Sequence, residues 1–102
     1  MANQYTTNIF SIVPIGTHSR LGTVTTAQNI VIPQNATGVM LQAEAQNIVF
    51  VFGANSTIAA NNGFLVKPTD PPVRIDLFPG AVVRVLEVAV GAAVNYQFFR
   101  SV

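Results

Sequence analysis

Apolar and polar residues alternate over short stretches of this chain, and turn-forming residues separate the stretches. The alternation predicts strands at 8–13, 21–26, 28–32, 38–44, 47–52, 64–67, 73–78, 82–89 and 94–100. These segments are rich in Val, Ile, Phe and Thr, which fit a pleated, half-buried surface. Turns are expected where Pro and Gly follow the segments, as at Pro14-Ile15-Gly16 and Pro79-Gly80. Strands this short and this evenly spaced predict an all-β fold. The expected architecture is an antiparallel β-sandwich, jelly-roll-like, with about eight short strands.

Two of the predicted strands are apolar on both faces. In 47–52 nearly every residue is apolar, and in 82–89 each face is apolar apart from one charge, Arg84 on one side and Glu87 on the other. A two-sheet sandwich leaves the outer face of an antiparallel sheet in water. Such strands therefore need extra cover from a loop, from the N-terminal arm or from a neighbouring subunit. We favour the neighbouring subunit.

The chain divides into an arm and one domain. Its 102 residues suit a single domain. Residues 1–7 are polar and lack a core pattern, so they are expected to form a flexible N-terminal arm that gains order on a partner. Residues 8–102 are expected to form a single β-sandwich domain.

The passage from segment 38–44 to segment 47–52 contains neither Gly nor Pro. Ala43 and Ala45 are small, so a β-bulge or a corner at which the chain changes sheets is expected there. Glu44 and Gln46 lie at the same corner. If they are buried they need hydrogen-bond partners, and if exposed they are candidates for an interface. The sequence leaves both possibilities open.

The composition points to assembly and excludes several kinds of partner. Charged residues make up 9% of the chain and the formal net charge is +1, against about 25% charged residues in an average domain. Interface cores are depleted of charge, and a net charge near zero favours association. The five basic residues are scattered rather than clustered, so no nucleic-acid partner is predicted. No apolar run approaches the roughly 20 residues of a membrane helix, so no membrane partner is predicted either.

Residues with catalytic chemistry are few. The chain has no Cys and one His, His18, which is expected in an exposed loop. A lone His makes a poor metal site, and a catalytic triad also needs an orienting acid. Each of the four acids, Glu44, Asp70, Asp76 and Glu87, has a structural explanation in a strand or turn. The prediction is therefore a protein that is not an enzyme, with no catalytic residue, no metal and no cofactor.

The order of several segments resembles a group of small tailed-bacteriophage proteins encoded among virion genes. The resemblance covers roughly residues 24–99. It rests on 28–33, 38–48, 63–66, 70–77 and 83–87, with Leu41-Gln42-Ala43-Glu44-Ala45-Gln46-Asn47 contributing most. It implies a capsid decoration, or cement, protein with a β-sandwich or jelly-roll core, made in the host cytoplasm and located on the capsid surface of the virion. The implied partners are the major capsid protein and neighbouring copies of the chain in a homo-oligomer, with a trimer as the expected state.

Two alternatives remain open beside the cement protein. One is a tail or baseplate subunit. The other is a carbohydrate- or receptor-binding module, for which the candidate aromatic residues are Tyr5, Tyr96 and Phe64. For subunit contact, the sequence suggests Asn3, Gln4, Tyr5, Gln42, Glu44, Gln46, Arg84 and Glu87.

Overall fold

The chain folds into two antiparallel β-sheets packed face to face. A computed structural model describes residues 11–101 of the chain. This range contains no helix, and its eight strands are β1 Ile12–Leu21, β2 Gln28–Val31, β3 Gly38–Glu44, β4 Ile48–Phe52, β5 Phe64–Val66, β6 Val73–Asp76, β7 Val82–Glu87 and β8 Ala93–Ser101. The predicted all-β sandwich is therefore confirmed. The predicted arm, residues 1–7, lies outside the described residues.

The strand pairing follows a simple rule that identifies the sandwich as a jelly roll. β1 pairs with β8, β2 with β7, β3 with β6 and β4 with β5, as if one long antiparallel hairpin had been rolled up. Two further pairings, β3 with β8 and β4 with β7, close the roll. The resulting sheet orders are β1-β8-β3-β6 and β2-β7-β4-β5. Eight strands in two such sheets are the jelly-roll arrangement.

The core lies between the two sheets and is built from alternate residues of each strand. From the first sheet it takes Val39, Leu41 and Val94, and from the second Ile48 and Val85, all fully buried. The residues between them in sequence point outward, because successive side chains of a strand alternate between faces. No polar or charged residue within 11–101 is fully buried. The core is thus purely apolar, and all polar chemistry of this part of the chain lies on the surface.

The sequence-based assignment was wrong near the start of the chain. The predicted strand 21–26 is not a strand, and the predicted turn at Pro14-Ile15-Gly16 lies inside β1. Pro14 is tolerated because β1 is an edge strand of its sheet. Between Ile15 and Ser19 the register with β8 shifts in a β-bulge, and Gly16 supplies the positive φ of 70°. His18 lies in this bulge and is exposed, so its exposure was predicted correctly and its position in a loop was not.

The corner between β3 and β4 was predicted correctly. β3 ends at Glu44 in one sheet and β4 begins at Ile48 in the other, so the chain changes sheets within three residues. Ala45 adopts a φ of 71° there, the one positive φ of a non-glycine residue within 11–101. That conformation is costly for a residue with a Cβ. The Gln46 amide donates a hydrogen bond to the Glu44 carbonyl oxygen at 2.8 Å, which fixes the tight turn.

Candidate functional site

The outer faces of the two sheets differ in polarity. On the sheet β1-β8-β3-β6 the strand register brings together Arg20, Gln42, Glu44, Arg74, Asp76, Asn95 and Gln97, which we call the polar face. On the sheet β2-β7-β4-β5 the outward residues are Val31, Val49, Val51, Leu65, Val82 and Leu86 together with Asn29 and Arg84, which we call the apolar face. Only the polar face matches what an antiparallel sheet normally presents to water.

Charges on the polar face are paired within the chain. Arg20 donates to both Glu44 carboxylate oxygens, at 3.1 Å from Nε to each and 2.7 Å from Nη2 to Oε2. Asn95 Nδ2 donates to Glu44 Oε1 at 3.0 Å. The hydrogen bonds from Arg20 and then from Asn95 lower the pKa of Glu44 from 4.5 to about 2, and the Glu44 carboxylate raises the pKa of Arg20. The Glu44 carboxylate is therefore kept ionised, and both of its oxygens accept hydrogen bonds from within the chain. A general acid instead needs a protonated group that is free to donate its proton.

A second pair stands at the other side of the polar face. Arg74 Nη2 lies 3.1 Å from Asp76 Oδ1. The Arg74 guanidinium also lies over the Phe99 ring, 5.2 Å from its centroid. It thereby covers an aromatic ring that points outward but is buried. The ion pair therefore lies within the edge strand β6, and the contact of Arg74 with Phe99 reaches across β3 to β8.

A shallow depression of about 310 Å³ lies on the polar face, lined by His18, Met40, Gln42, Pro72, Asn95, Tyr96 and Gln97 among others. Gln97 Nε2 donates to the carbonyl oxygens of Ile15 and Gly16 at 3.0 and 3.1 Å, so this amide holds the β1 bulge. Tyr96 packs against the core and contacts Phe98 edge to face at 5.5 Å. The depression therefore has no free aromatic plane on which a sugar ring could stack.

The apolar face is partly covered by the chain itself. The Ala54 carbonyl oxygen, in the loop between β4 and β5, accepts hydrogen bonds from Arg84 Nη1 at 3.1 Å and from Asn29 Nδ2 at 3.4 Å. Gly63, at the end of the same loop, lies so close to Val49 that an added Cβ would be 3.0 Å from the Val49 Cβ. Val49 is consequently buried although it points outward. The β4–β5 loop therefore covers this part of the apolar face. From the sequence we favoured a neighbouring subunit as the cover.

The rest of the apolar face is open. Leu65 is 51% and Val31 55% exposed, and Val51, Val82 and Leu86 are half-buried. Arg84 stands among them. Its hydrogen-bond partners among residues 11–101 are neutral, the Ala54 carbonyl oxygen and Asn29 Oδ1 at 3.0 Å, and its buried Nε has no hydrogen-bond partner in that range. An open apolar surface around one incompletely satisfied arginine has the composition of an interface core, which is rich in Arg and poor in other charges.

A cluster of three phenylalanines adjoins the apolar face at the edge of the sandwich. Phe50, Phe52 and Phe64 have ring centroids 5.3 to 6.0 Å apart. With the edge strand β6 they line a groove of about 390 Å³. Phe50 is buried, whereas Phe52 is 45% and Phe64 59% exposed. From the sequence, Phe64 was a candidate only for sugar stacking. The wholly apolar run Phe64-Leu65-Val66 indicates a strand that is apolar on both faces, but not that either face is exposed.

The predicted contact residues are distributed over the molecule rather than gathered at one site. Gln42 and Glu44 lie on the polar face, and Arg84 lies on the apolar face. Gln46 is exposed in the β3–β4 corner. Glu87 is half-buried opposite Ile48 at the end of β7. Asn3, Gln4 and Tyr5 lie outside the described residues.

Within residues 11–101 no group of three or more His, Cys, Asp or Glu side chains is placed to hold a metal ion. That stretch also contains no helix long and apolar enough to cross a membrane. Comparison with known proteins gives no relatives: no family model matches the chain, and no curated protein or solved structure shows significant similarity to it.

Proposed function

We propose that this chain is a non-enzymatic structural subunit that works by protein–protein contact through its apolar face. In its specific form, the proposal is a capsid decoration protein of a tailed bacteriophage. Such a protein would associate with copies of itself and with the major capsid protein on the surface of the virion. The observation that carries the proposal is the contrast between the two sheets: one outer face is polar and internally paired, and the other is apolar and open.

The energetics of the apolar face support association. Each large apolar side chain that passes from water into an interface contributes about 1.5–3 kcal/mol when it is fully buried. Leu65 and Val31 each keep about half of their surface exposed, and three more residues of the face are half-buried. Monomeric proteins rarely expose contiguous apolar patches larger than a few hundred Å². A partner seated on this face removes that exposed surface from water.

The specific form of the proposal has a different kind of support. It rests on the resemblance of the segment order, above all Leu41–Asn47, and on the jelly-roll fold that the resemblance leads one to expect. A decoration protein that binds only the assembled shell stabilises that shell by its binding free energy. This mechanism needs broad contact surfaces and no reactive group.

Two measurements on purified material test the proposal. Sedimentation equilibrium at micromolar concentration should give an oligomer, with a trimer as the expected state. Heating virus particles that lack the protein, with and without added purified protein, should show a higher disruption temperature when it is present. A monomer that neither binds particles nor changes their disruption temperature would exclude the decoration role. Binding to tails instead of heads would favour a tail subunit, and binding on a glycan array would favour a receptor-binding module.

A further inference from the structure

Within residues 11–101, the phenylalanine groove lies where each sheet ends in an edge strand that is paired on one side only. β5 is the last strand of one sheet and β6 the last strand of the other. The groove runs between them, with Phe52 and Phe64 on one side and Val73, Ile75 and Asp76 on the other. An extended peptide placed here can pair with the free backbone groups of an edge strand while inserting a side chain into the groove, which is a recurring mode of peptide recognition.

The N-terminal segment enters the sandwich at the same end as this groove. Ile12, the first residue of β1, is opposite Ser101, whose amide donates a hydrogen bond to Thr37 Oγ1 at 2.8 Å. Thr37 in turn accepts, at its carbonyl oxygen, a hydrogen bond from the amide of Leu77, directly after β6. Ile12 therefore lies three strands away from β6, at the level where β6 ends.

The chemistry of residues 1–10 fits the groove. The segment Met1-Ala2-Asn3-Gln4-Tyr5-Thr6-Thr7-Asn8-Ile9-Phe10 contains no Asp, Glu, Lys or Arg. It carries two aromatic side chains, Tyr5 and Phe10. Aromatic rings prefer offset or edge-to-face contacts with other rings, and the groove offers two half-exposed rings for such contacts.

We infer that the N-terminal segment of one copy occupies the phenylalanine groove of a neighbouring copy, with Phe10 packed against the exposed parts of the Phe52 and Phe64 rings. The copy's own segment is a poor fit. β1 is separated from β6 by three inter-strand spacings, about 14 Å in all, whereas the Phe10 Cα lies within about 7 Å of Ile12. Crossing that distance uses the residues nearest β1 and leaves Phe10 outside its own groove. A neighbour's segment has no such constraint. This inference rests on the proposed self-association and names one contact within it.

The test places the photo-crosslinking residue p-benzoylphenylalanine at position 10 of the full chain, which keeps an aromatic ring there. Copies grown in ¹⁴N and ¹⁵N are mixed, irradiated at micromolar concentration and digested. We expect cross-linked peptides that pair a light chain with a heavy chain and join position 10 to β5 or β6. Phe64→Ser should lower their yield several-fold. The matched control is Phe78→Ser, because Phe78 is 73% exposed but does not line the groove, and it should leave the yield unchanged.

The other outcomes overturn the inference. If every cross-linked pair of peptides carries the same isotope, the segment folds back on its own copy. Cross-links to other parts of the neighbour, or a yield that Phe64→Ser does not lower, would place the segment elsewhere. Sedimentation equilibrium of the same samples separates this failure from failure of the proposed function. An oligomer without cross-links at the groove rejects only the inference, whereas a monomer without cross-links between copies rejects self-association as well.

Discussion

Replacing Leu65 by serine is the most direct perturbation of the apolar face. Leu65 points outward from the edge strand β5 beside Val49. Its side chain is 51% exposed, so about half of it remains available to a partner. Full burial of a leucine is worth about 1.5–3 kcal/mol, and half of that is about 1 kcal/mol for each interface. Since 1.4 kcal/mol corresponds to a factor of ten, the dissociation constant should rise roughly fivefold for each interface.

Sedimentation equilibrium over a range of concentrations measures this change, and a thermal unfolding curve shows that the variant still folds. Val90→Ser is the matched control. Val90 is 81% exposed in the turn before β8 and does not belong to the apolar face. It should leave the dissociation constant where it was, because the loss of an exposed apolar side chain outside the interface removes no contact. A Leu65→Ser variant that associates within twofold of the unsubstituted protein would refute the assignment of the apolar face as the contact surface.

Two further predictions concern stability. Gly38→Ala places a Cβ against the Ile75 carbonyl oxygen and the Phe99 ring. Overpacking of this kind costs about 1–3 kcal/mol, so the Tm should fall by several degrees. The control, Gly22→Ala, meets only the end of the Arg20 side chain and should lower the Tm less. The pKa of Glu44 is lowered from 4.5 to about 2, so the stabilisation by the ionised Glu44 carboxylate is complete above pH 4.5 and is lost as the pH falls toward 2. Glu44→Gln should therefore make unfolding less sensitive to acid between these pH values. A pH profile of unfolding that the substitution leaves unchanged would show that the ion pair contributes nothing.

The local pattern of the sequence was sufficient to predict most strands and the fold class. Period-two alternation and turn residues mark β2, β3, β4 and β7 closely, since these elements depend on the residues within them. The order of the strands in each sheet could not be predicted in this way, because it depends on pairs such as β1 and β8 that are far apart along the chain. The bulge in β1 shows the difficulty. Pro14 and Gly16 are typical of a turn, and only the amide of Gln97, 81 residues after Gly16, makes a bulged strand the better solution.

The existence of an apolar outer face was predicted, but its extent was not. The two-sided apolar pattern of β4 and β7 correctly indicated that the sheet containing them has an apolar outer face. It did not show that the β4–β5 loop covers Val49, because that cover depends on the close approach of the Gly63 backbone, which the sequence of β4 does not contain. Nor did it show that Phe52 and Phe64, on the neighbouring strands β4 and β5, pack together where the sheet ends. Exposure of an apolar strand depends on what else packs there, which the sequence of the strand does not contain.

The distribution of charge places a condition on how copies associate. On the polar face Arg20 pairs with Glu44 and Arg74 with Asp76, so that face is close to neutral. On the apolar face the described part of the chain gives Arg84 neutral partners alone. A face-to-face dimer of identical copies would enclose two Arg84 guanidiniums in one interface, and neither apolar face has a carboxylate to pair with the Arg84 of the other copy. In a cyclic arrangement each apolar face meets a different surface of the next copy, which can offer an oxygen acceptor to Arg84. The single charge of this face therefore favours a ring, such as the expected trimer, over a two-fold dimer.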